Sequence, residues 1–307
     1  MSKLRIGTRG SELALVQARA TEAALGAAFP ERTLERVVIK TTGDRRTDVA
    51  LSEVAKAEGI YDKGVFIKEL EIALEEGRID IAVHSLKDVP TVLEEHFEIA
   101  GVLPRAPIRD VLVSPDPGGL DALGEGARVG TSSVRRARQL EWLRPDLQLV
   151  DIRGNVPTRL RKLAEGEFDA IMLAEAGLVR LGHPMDTELE LEETTLHFHP
   201  LDEAEFLPAA GQGAIAFEIR SDDESARGAI AAINDEPTFI RITAEREFLR
   251  LLDGGCHTPV GVVTRLEDGV LSMTGRVFPE EGGKPREGAA AGQDPIEVAG
   301  ELFESLA

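Results

Sequence analysis

The chain has 307 residues, of which 42% are hydrophobic and 29% are charged, so it has enough apolar material for packed cores and is not globally disordered. Its net charge of -20 disfavours nucleic acid and anionic lipid as partners, and its single cysteine excludes a disulfide framework within the chain and a multi-cysteine zinc site. No apolar run reaches the roughly 18–20 residues of a membrane span. The N-terminal segment lacks the apolar region of a secretory signal, so we expect a cytoplasmic protein.

The chain is predicted to alternate strands and helices over its first two thirds, a pattern that indicates α/β domains with mostly parallel sheets. In such sheets, ligands bind at the carboxyl ends of the strands. The predicted elements in chain order are strand Leu4–Thr8, helix Glu12–Leu25, strand Arg36–Thr41, helix Val65–Glu76, strands Asp80–His84, Phe97–Leu103 and Val111–Ser114, strand Arg128–Gly130 with a helix from Val134, strand Leu147–Asp151 with a helix from Thr158, and strand Ala170–Ala174.

The pattern changes after Arg220, where we expect a separate small α+β domain. A Gly-rich stretch, Glu281–Gly292, is predicted to be an exposed loop. The other predicted elements are helices Asp222–Ile233 and Thr238–Leu252, a hairpin of strands Val260–Arg265 and Val270–Phe278, and a final helix Pro295–Leu306.

The basic residues are 27 Arg and 8 Lys against 55 acids, a composition expected of a protein surface in very salty solvent. At about 1 M salt the Debye length is roughly 3 Å, so such a surface is tolerable there. Composition alone leaves a halophilic protein and an ordinary acidic enzyme equally open.

Positive charge is concentrated between residues 128 and 162, where nine basic and three acidic residues give a local charge of +6. Two strand-to-helix turns lie in this segment. The first has Ser133 at the helix start with Arg135 and Arg136 behind it, and the second has Arg153 and Arg159. Each turn alone is compatible with a capped helix carrying surface arginines. Two in succession favour an anion site, because helix N-termini and arginine forks both attract anions.

A second group of polar residues follows the predicted strand Asp80–His84. Lys87 and Asp88 stand at its carboxyl end, where an ion pair is the default interpretation and a carboxylate that stabilises a developing cation is the functional one. His84 is more typical of a hydrogen-bonded core histidine than of a catalytic one.

The lone cysteine, Cys256, follows two glycines and precedes a strand, which favours a covalent attachment point over the inert small hydrophobe that cysteine usually is. A metal pair of Cys256 with His257 is a weak hypothesis because the chain has no other thiolate. His197 and His199 could share one strand face, yet they have no carboxylate partners in register, so no metal site is predicted.

The chain resembles the porphobilinogen deaminase (hydroxymethylbilane synthase) family through eight segments that run in the family's order from residue 7 to residue 261. These segments are GTRGSELAL, KGVFIKELE, DIAVHSLKDVPT, GTSSVRRARQL, DIRGNVPTRL, AEAGLVRLG, LPAAGQGAIAFE and GGCHTPVG. Between Lys56 and Lys63 the chain departs from the family with a longer stretch, AEGIYD, which we expect to belong to a mobile lid.

The resemblance implies two α/β domains like those of periplasmic binding proteins around a cleft, and a small α+β C-terminal domain. The expected boundaries are residues 1–104 with 208–232, then 105–207, then 233–307. It also implies a dipyrromethane cofactor attached to Cys256 by a thioether. Four porphobilinogens would be joined head to tail into hydroxymethylbilane with loss of ammonia, by a monomer that binds neither nucleic acid nor membrane.

The resemblance further implies that Asp88 is the catalytic carboxylate and opposes the azafulvene cation left when ammonia departs. Every pyrrole unit carries an acetate and a propionate, and arginine binds carboxylates bidentately, so the basic segment would hold a polyanion. The positions that match cofactor- or substrate-binding residues are Arg9, Ser11, Lys56, Phe66, Lys87, Thr131, Ser133, Arg135, Arg136, Arg153, Arg159, Arg180, Gln212 and Gly213.

Two other classes of function fit parts of the sequence. A non-catalytic solute-binding protein for an organic anion would share the cleft and the arginines, but it would need neither Asp88 nor an exposed Cys256, and it would carry a secretory signal. A cysteine-nucleophile hydrolase lacks a convincing histidine partner beyond the adjacent His257.

Overall fold

The computed structural model describes residues 3–41, 67–252, 258–279 and 281–306. By its contacts the chain divides into two compact units, Met1–Ala106 with Gly213–Thr243, and Pro107–Gln212 with Ala244–Ala307. None of the described helices is long and apolar enough to cross a membrane. The division into three domains is not tested by this partition and stays a prediction.

The described strands and helices include every predicted element, together with four strands and one helix that were not predicted. The strands are β1 (Leu4–Arg9), β2 (Leu34–Ile39), β3 (Ile81–Ser85), β4 (Phe97–Val102), β5 (Asp110–Ser114), β6 (Arg128–Gly130), β7 (Gln148–Val150), β8 (Ala170–Ala174), β9 (Leu189–Leu191), β10 (Thr194–Pro200), β11 (Ile215–Arg220), β12 (Val260–Glu267), β13 (Val270–Val277) and β14 (Arg286–Gly292). The helices are α1 (Glu12–Ala28), α2 (Lys68–Glu75), α3 (Val134–Leu143), α4 (Val156–Ala164), α5 (Glu175–Arg180), α6 (Glu224–Ala231), α7 (Glu236–Leu251) and α8 (Pro295–Ser305). The elements that were not predicted are strands β9, β10, β11 and β14 and helix α5.

Each unit contains one sheet of five or six strands, and these two sheets share a strand arrangement. The first has the order β2-β1-β3-β11-β4 and the second β7-β6-β8-β5-β10-β9. In each, three parallel strands lie side by side, and a fourth strand, β11 or β5, pairs antiparallel with the third of them. The α/β class is confirmed. Four strands of each sheet run in the same direction, as expected of mostly parallel sheets. The strands that oppose them, β11 in the first sheet and β5 and β9 in the second, were not predicted to do so.

Both faces of each sheet are covered, which explains why the strands read as continuous apolar runs rather than alternating patterns. In the second unit, Val111 and Val113 of β5 belong to one core cluster, whereas Leu112 between them belongs to the cluster on the other face. In the first unit, Val83 packs with α1 and α6, and Ala82 packs with α2. The side chains of these core clusters are mainly aliphatic.

A third sheet, with the order β12-β13-β14, is antiparallel throughout and packs against α8. Part of the stretch predicted as an exposed loop, Glu281–Gly292, is strand β14, so that prediction is wrong. Its small residues are required by packing: a Cβ on Gly288 would lie 2.3 Å from Oγ of Ser305 on α8. Glycine and alanine here mark a close approach of helix and strand, not a loop.

Candidate functional site

The carboxyl ends of β6, β7 and β8 bring together most of the residues predicted for the anion site. The turn after β6 is held by its own hydroxyls: Thr131 Oγ1 accepts a hydrogen bond from the Ser133 amide at 3.2 Å, and Ser133 Oγ caps α3 by accepting from the Arg136 amide at 3.5 Å. Ser132 Oγ accepts from the amide of Ile152 at 3.3 Å and so joins this turn to the one after β7. The serine hydroxyls thus shape the site before any ligand binds.

Helix α4 begins two residues earlier than predicted, at Val156, because Asn155 caps it. The Asn155 side chain accepts a hydrogen bond from the Thr158 amide at 3.0 Å. Pro157 lies in the first turn of α4. An N–H there has no acceptor within the helix, so the missing N–H of proline costs nothing. Two capped helix N-termini therefore face the carboxyl ends of neighbouring parallel strands, as anion binding requires.

Arg135 and Arg136, predicted to offer open forks to a ligand, both hold the protein's own Asp110. Arg135 Nη1 donates to Asp110 Oδ2 at 2.6 Å, and Arg136 Nε and Nη2 lie 2.9 and 2.7 Å from Oδ1. The three side chains are buried. Burial lowers the pKa of Arg136, and the nearby Asp110 opposes that shift.

The reason for this arrangement is electrostatic. Two adjacent guanidinium groups cannot be buried without a counter-charge, because each carries a desolvation penalty of several kcal/mol. Asp110 supplies one negative charge against two positive ones, so the cluster keeps a net charge of +1. Nε of Arg135 is buried and has no acceptor among the residues that the structure describes.

Gln212, another predicted site residue, belongs to the same cluster. Its buried amide nitrogen donates to the Ile108 carbonyl at 2.7 Å and to Asp110 Oδ1 at 3.2 Å. Gly213 has a φ of 84°, a left-handed conformation that favours glycine. Gln212 thus supports Asp110 from a segment remote in sequence.

The remaining arginines of the second unit lie in the turns after β7 and β8. Arg153 follows β7, and its buried Nε has no acceptor in the described part of the chain. Arg159 Nε donates to the Gly154 carbonyl at 2.8 Å. Arg180 ends α5, and burial lowers its pKa to about 10. A cation whose charged form is disfavoured by burial would gain from a bound anion.

Sequence analysis missed the partners of these arginines. Asp110 is the first residue of β5, and the adjacent Arg109 forms a two-pronged pair with the buried Glu175, with Nε–Oε2 and Nη2–Oε1 distances of 2.7 and 2.8 Å. The available signal was an aspartate at the start of the mostly apolar strand β5, because a buried carboxylate needs a cation or hydrogen-bond donors beside it.

In the first unit, the carboxyl ends of β1 and β3 carry the other predicted residues. Arg9 ends β1, and Ser11 Oγ caps α1 by accepting from the Ala14 amide at 3.3 Å. Lys87 and Asp88 lie in a short 3₁₀ turn, Leu86–Asp88, directly after β3. Both are half-buried, and the Asp88 carboxylate has no ion-pair or hydrogen-bond partner among the described residues.

His84, in β3, is a buried histidine with a partner, as the sequence favoured. Its Nε2 lies 2.7 Å from Oε2 of Glu218 in β11, and their side chains are 3% and 0% exposed. The predicted residues Lys56, Phe66 and Cys256 lie outside the described residues.

Exposed Glu75, Glu94 and His96 lie close enough together to hold a metal ion. Such clusters of exposed acidic groups are common in proteins without a bound ion.

Comparison with known proteins covers nearly the whole chain. The family described as "Porphobilinogen deaminase, dipyromethane cofactor binding domain" matches residues 4–228, and the "Porphobilinogen deaminase, C-terminal domain" matches residues 239–307. The chain is 44% identical to a porphobilinogen deaminase of Syntrophobacter fumaroxidans, over 98% of this chain and 94% of that one. It is 45% identical to that of Syntrophomonas wolfei, over 100% and 95%.

Among solved structures, the chain is similar to the periplasmic VFT2 domain of Bordetella pertussis BvgS, at 14% identity and a TM-score of 0.45, over 75% of this chain and 86% of that one. That likeness is too distant to bear on function. The two family matches and the two relatives agree with the residues at the strand ends, and they identify the chain as a member of the porphobilinogen deaminase family.

Proposed function

We propose that this chain joins four porphobilinogen molecules head to tail into linear hydroxymethylbilane with release of ammonia, a transferase reaction (EC 2.5.1.61) in tetrapyrrole synthesis. The observation that carries the proposal is the gathering of arginines at the carboxyl ends of β6, β7 and β8 in a chain whose net charge is -20. A growing chain of pyrroles accumulates acetates and propionates, and these need such cations.

The residues present fit the dipyrromethane group that the family carries. Buried Nε atoms of Arg135 and Arg153 have no acceptor in the described part of the chain, and an unpaired buried donor costs free energy. A carboxylate of the bound group would supply these acceptors. The net charge of +1 left on the Asp110 cluster favours an anion in the same place.

We propose that Cys256 attaches the group through a thioether. Its two carboxylate-bearing rings would be held by arginine and hydroxyl side chains, namely Arg9, Ser11, Thr131, Ser133, Arg135, Arg136, Arg153, Arg159 and Arg180, with further contacts from Lys56, Phe66, Lys87, Gln212 and Gly213. When bound, dipyrromethane supplies the nucleophilic terminal pyrrole to which substrate units are joined. The arginines bind and orient the acidic side chains of each porphobilinogen.

Asp88 is the group we propose to act on the reacting atoms. A carboxylate without a partner among the described residues is free to accept a hydrogen bond from a pyrrole N–H. Its negative charge then stabilises the cation that forms when porphobilinogen loses ammonia, and it can hold the proton released afterwards. Lys87 beside it suits a substrate carboxylate.

The organisation of the protein follows from the same proposal. We propose three domains, residues 1–104 with 208–232, 105–207 and 233–307, in a cytoplasmic monomer that requires neither metal, nucleic acid nor membrane. The start of the family's C-terminal domain match at residue 239 supports the last boundary. The acidic surface supports function at high salt.

Intact mass of the purified protein tests the proposal. We expect the mass to exceed that of the sequence by two pyrrole units, and we expect Cys256→Ser to lack the excess and the activity. Incubation with porphobilinogen should add further pyrrole units to the wild-type mass only. An active wild-type protein with an unmodified Cys256 would overturn the attachment, and a wild-type protein that releases no ammonia from porphobilinogen would overturn the function.

A further inference from the structure

A buried imidazole–carboxylate pair lies in the strand that leads to Asp88. His84 is the fourth residue of β3, and its Nε2 lies 2.7 Å from Oε2 of Glu218 in the neighbouring β11. In register, His84 is opposite Ala216 and Glu218 is opposite Ala82, so both side chains are on the α2 side of the sheet. Both are almost wholly buried.

The surroundings of the pair are acidic. Oε1 of Glu218 is buried and has no hydrogen-bond partner among the described residues. Burial and the charges of Glu218, Glu94 and Glu75 raise the pKa of Glu71 on α2 to about 7, and His84 acts against them. The His84 imidazole is therefore the one hydrogen-bond partner of the buried Glu218 carboxyl group among the described residues.

The turn that follows the pair is braced from several directions. Ser85 Oγ accepts a hydrogen bond from the buried Gln17 amide at 2.7 Å, the Leu86 amide donates to the Ala214 carbonyl at 3.1 Å, and the Val89 amide closes the turn on Leu86 at 2.9 Å. Ala214 directly precedes β11, the strand of Glu218. The pair therefore ties together the same two strands whose ends hold the turn.

We propose that His84 and Glu218 are positioning residues for Asp88, fixing β3 against β11 so that the turn Leu86–Asp88 presents its carboxylate in one orientation. This inference rests on the proposed catalytic role of Asp88. A purely structural role explains the pair less well, because well-packed apolar residues stabilise a sheet at least as well as a buried polar pair. The contact between His84 and Glu218 fixes the register of β3 against β11, and it thereby fixes the position of the end of β3.

Four variants separate positioning from stability. Glu218→Gln and His84→Gln each replace one partner of the pair with a neutral amide, and the double variant replaces both. Glu75→Gln is the matched control, since His96 Nε2 lies 2.8 Å from Glu75 Oε1 in an exposed pair of the same chemistry. Leu74→Ala, a change at a wholly buried residue of α2, provides loss of stability while leaving both side chains of the pair in place.

We expect each single variant at the pair to lower kcat by about 10- to 100-fold with KM within about twofold, as misplacement of a catalytic group does. The excess mass of the bound cofactor should stay unchanged. The double variant should lose no more kcat than the more impaired single variant, because each single change already removes the same contact. Glu75→Gln should behave as the wild type. A kcat loss no larger than that of Leu74→Ala at equal loss of Tm would overturn the proposal.

Hydrogen exchange of the Leu86 and Val89 amides gives a readout independent of activity. We expect exchange about tenfold faster in Glu218→Gln than in the wild type and Leu74→Ala, and unchanged protection would overturn the proposal. If Glu218→Gln does not fold, Glu218→Asp retains the carboxylate but withdraws it by one methylene. The loss of kcat and the faster amide exchange should then both appear, each to a smaller extent. A wild-type protein without deaminase activity would refute the proposed function while leaving the exchange result interpretable.

Discussion

Arg135 donates from Nη1 to Oδ2 of Asp110 at 2.6 Å, in a pair whose members are 25 residues apart in sequence and buried together. The same carboxylate also holds Arg136. Because Asp110 is the counter-charge of two buried cations, we expect its charge to stabilise the second unit.

Asp110→Asn should destabilise the protein by about 3–5 kcal/mol, since it leaves two guanidinium groups buried without a counter-charge. Urea unfolding measures this. The control is Glu141→Gln, which breaks an exposed pair with Arg138 on α3 and should cost about 0.5 kcal/mol or less. Equal small losses for both variants would show that the buried cluster needs no carboxylate.

Asp88→Asn should lower turnover by about two orders of magnitude or more, because the amide keeps the shape but loses the charge that opposes the cation. The bound cofactor, seen in the intact mass, should be retained. Asp121→Asn, an exposed aspartate of the second unit, serves as the control. Near-normal turnover of Asp88→Asn would move the catalytic role to another residue.

Glu71 should make the protein less stable as the pH rises from about 4.5 to about 7. Its pKa is raised from 4.5 to about 7 by burial and by Glu218, so the folded state binds a proton in this range that the unfolded state has lost. The stabilisation is present below the unfolded pKa and is lost through the folded one. Because Glu71 is only half-buried, we expect a loss of about 1–2 kcal/mol after solvent screening.

Chemical unfolding of the wild type and Glu71→Gln across this pH range measures the effect. The difference in unfolding free energy between the two proteins should change by that amount between pH 4.5 and 7 and stay constant above it. Glu76→Gln, an exposed glutamate at the end of α2, is the matched control. A difference that does not vary with pH would contradict the burial of Glu71.

Salt should raise both activity and thermal stability. The protein carries 55 acids, so at low ionic strength its field opposes an anionic substrate and its own charges repel one another. Screening beyond roughly 8–10 Å removes both effects at moderate salt, and it affects buried pairs such as Arg135–Asp110 much less. A titration of specific activity and Tm with KCl checks this, and a monotonic fall of both from low salt upward would reject the halophilic interpretation.

Much of the fold could be predicted because its signals are local. Strands β6 and β8 have the predicted bounds, since short apolar runs bounded by polar turns indicate buried strands. Part of the candidate site could be predicted in the same way. A polar residue that follows an apolar strand, such as Asp88, lies at the carboxyl edge of the sheet wherever that strand is parallel to its neighbours. His84 could be assigned to the core for the same reason.

The tertiary structure alone decided which groups meet. Strands β5 and β11 pair antiparallel with β8 and β3, which are remote from them in sequence, and no periodicity within a strand encodes the direction of its neighbour. The partners of Arg135 and His84 are 25 and 134 residues away, so their charges are balanced by residues that no spacing rule connects. Sequence determines which side chains can bind a carboxylate. Burial, a property of the packed structure, determines that Arg135 must first bind Asp110.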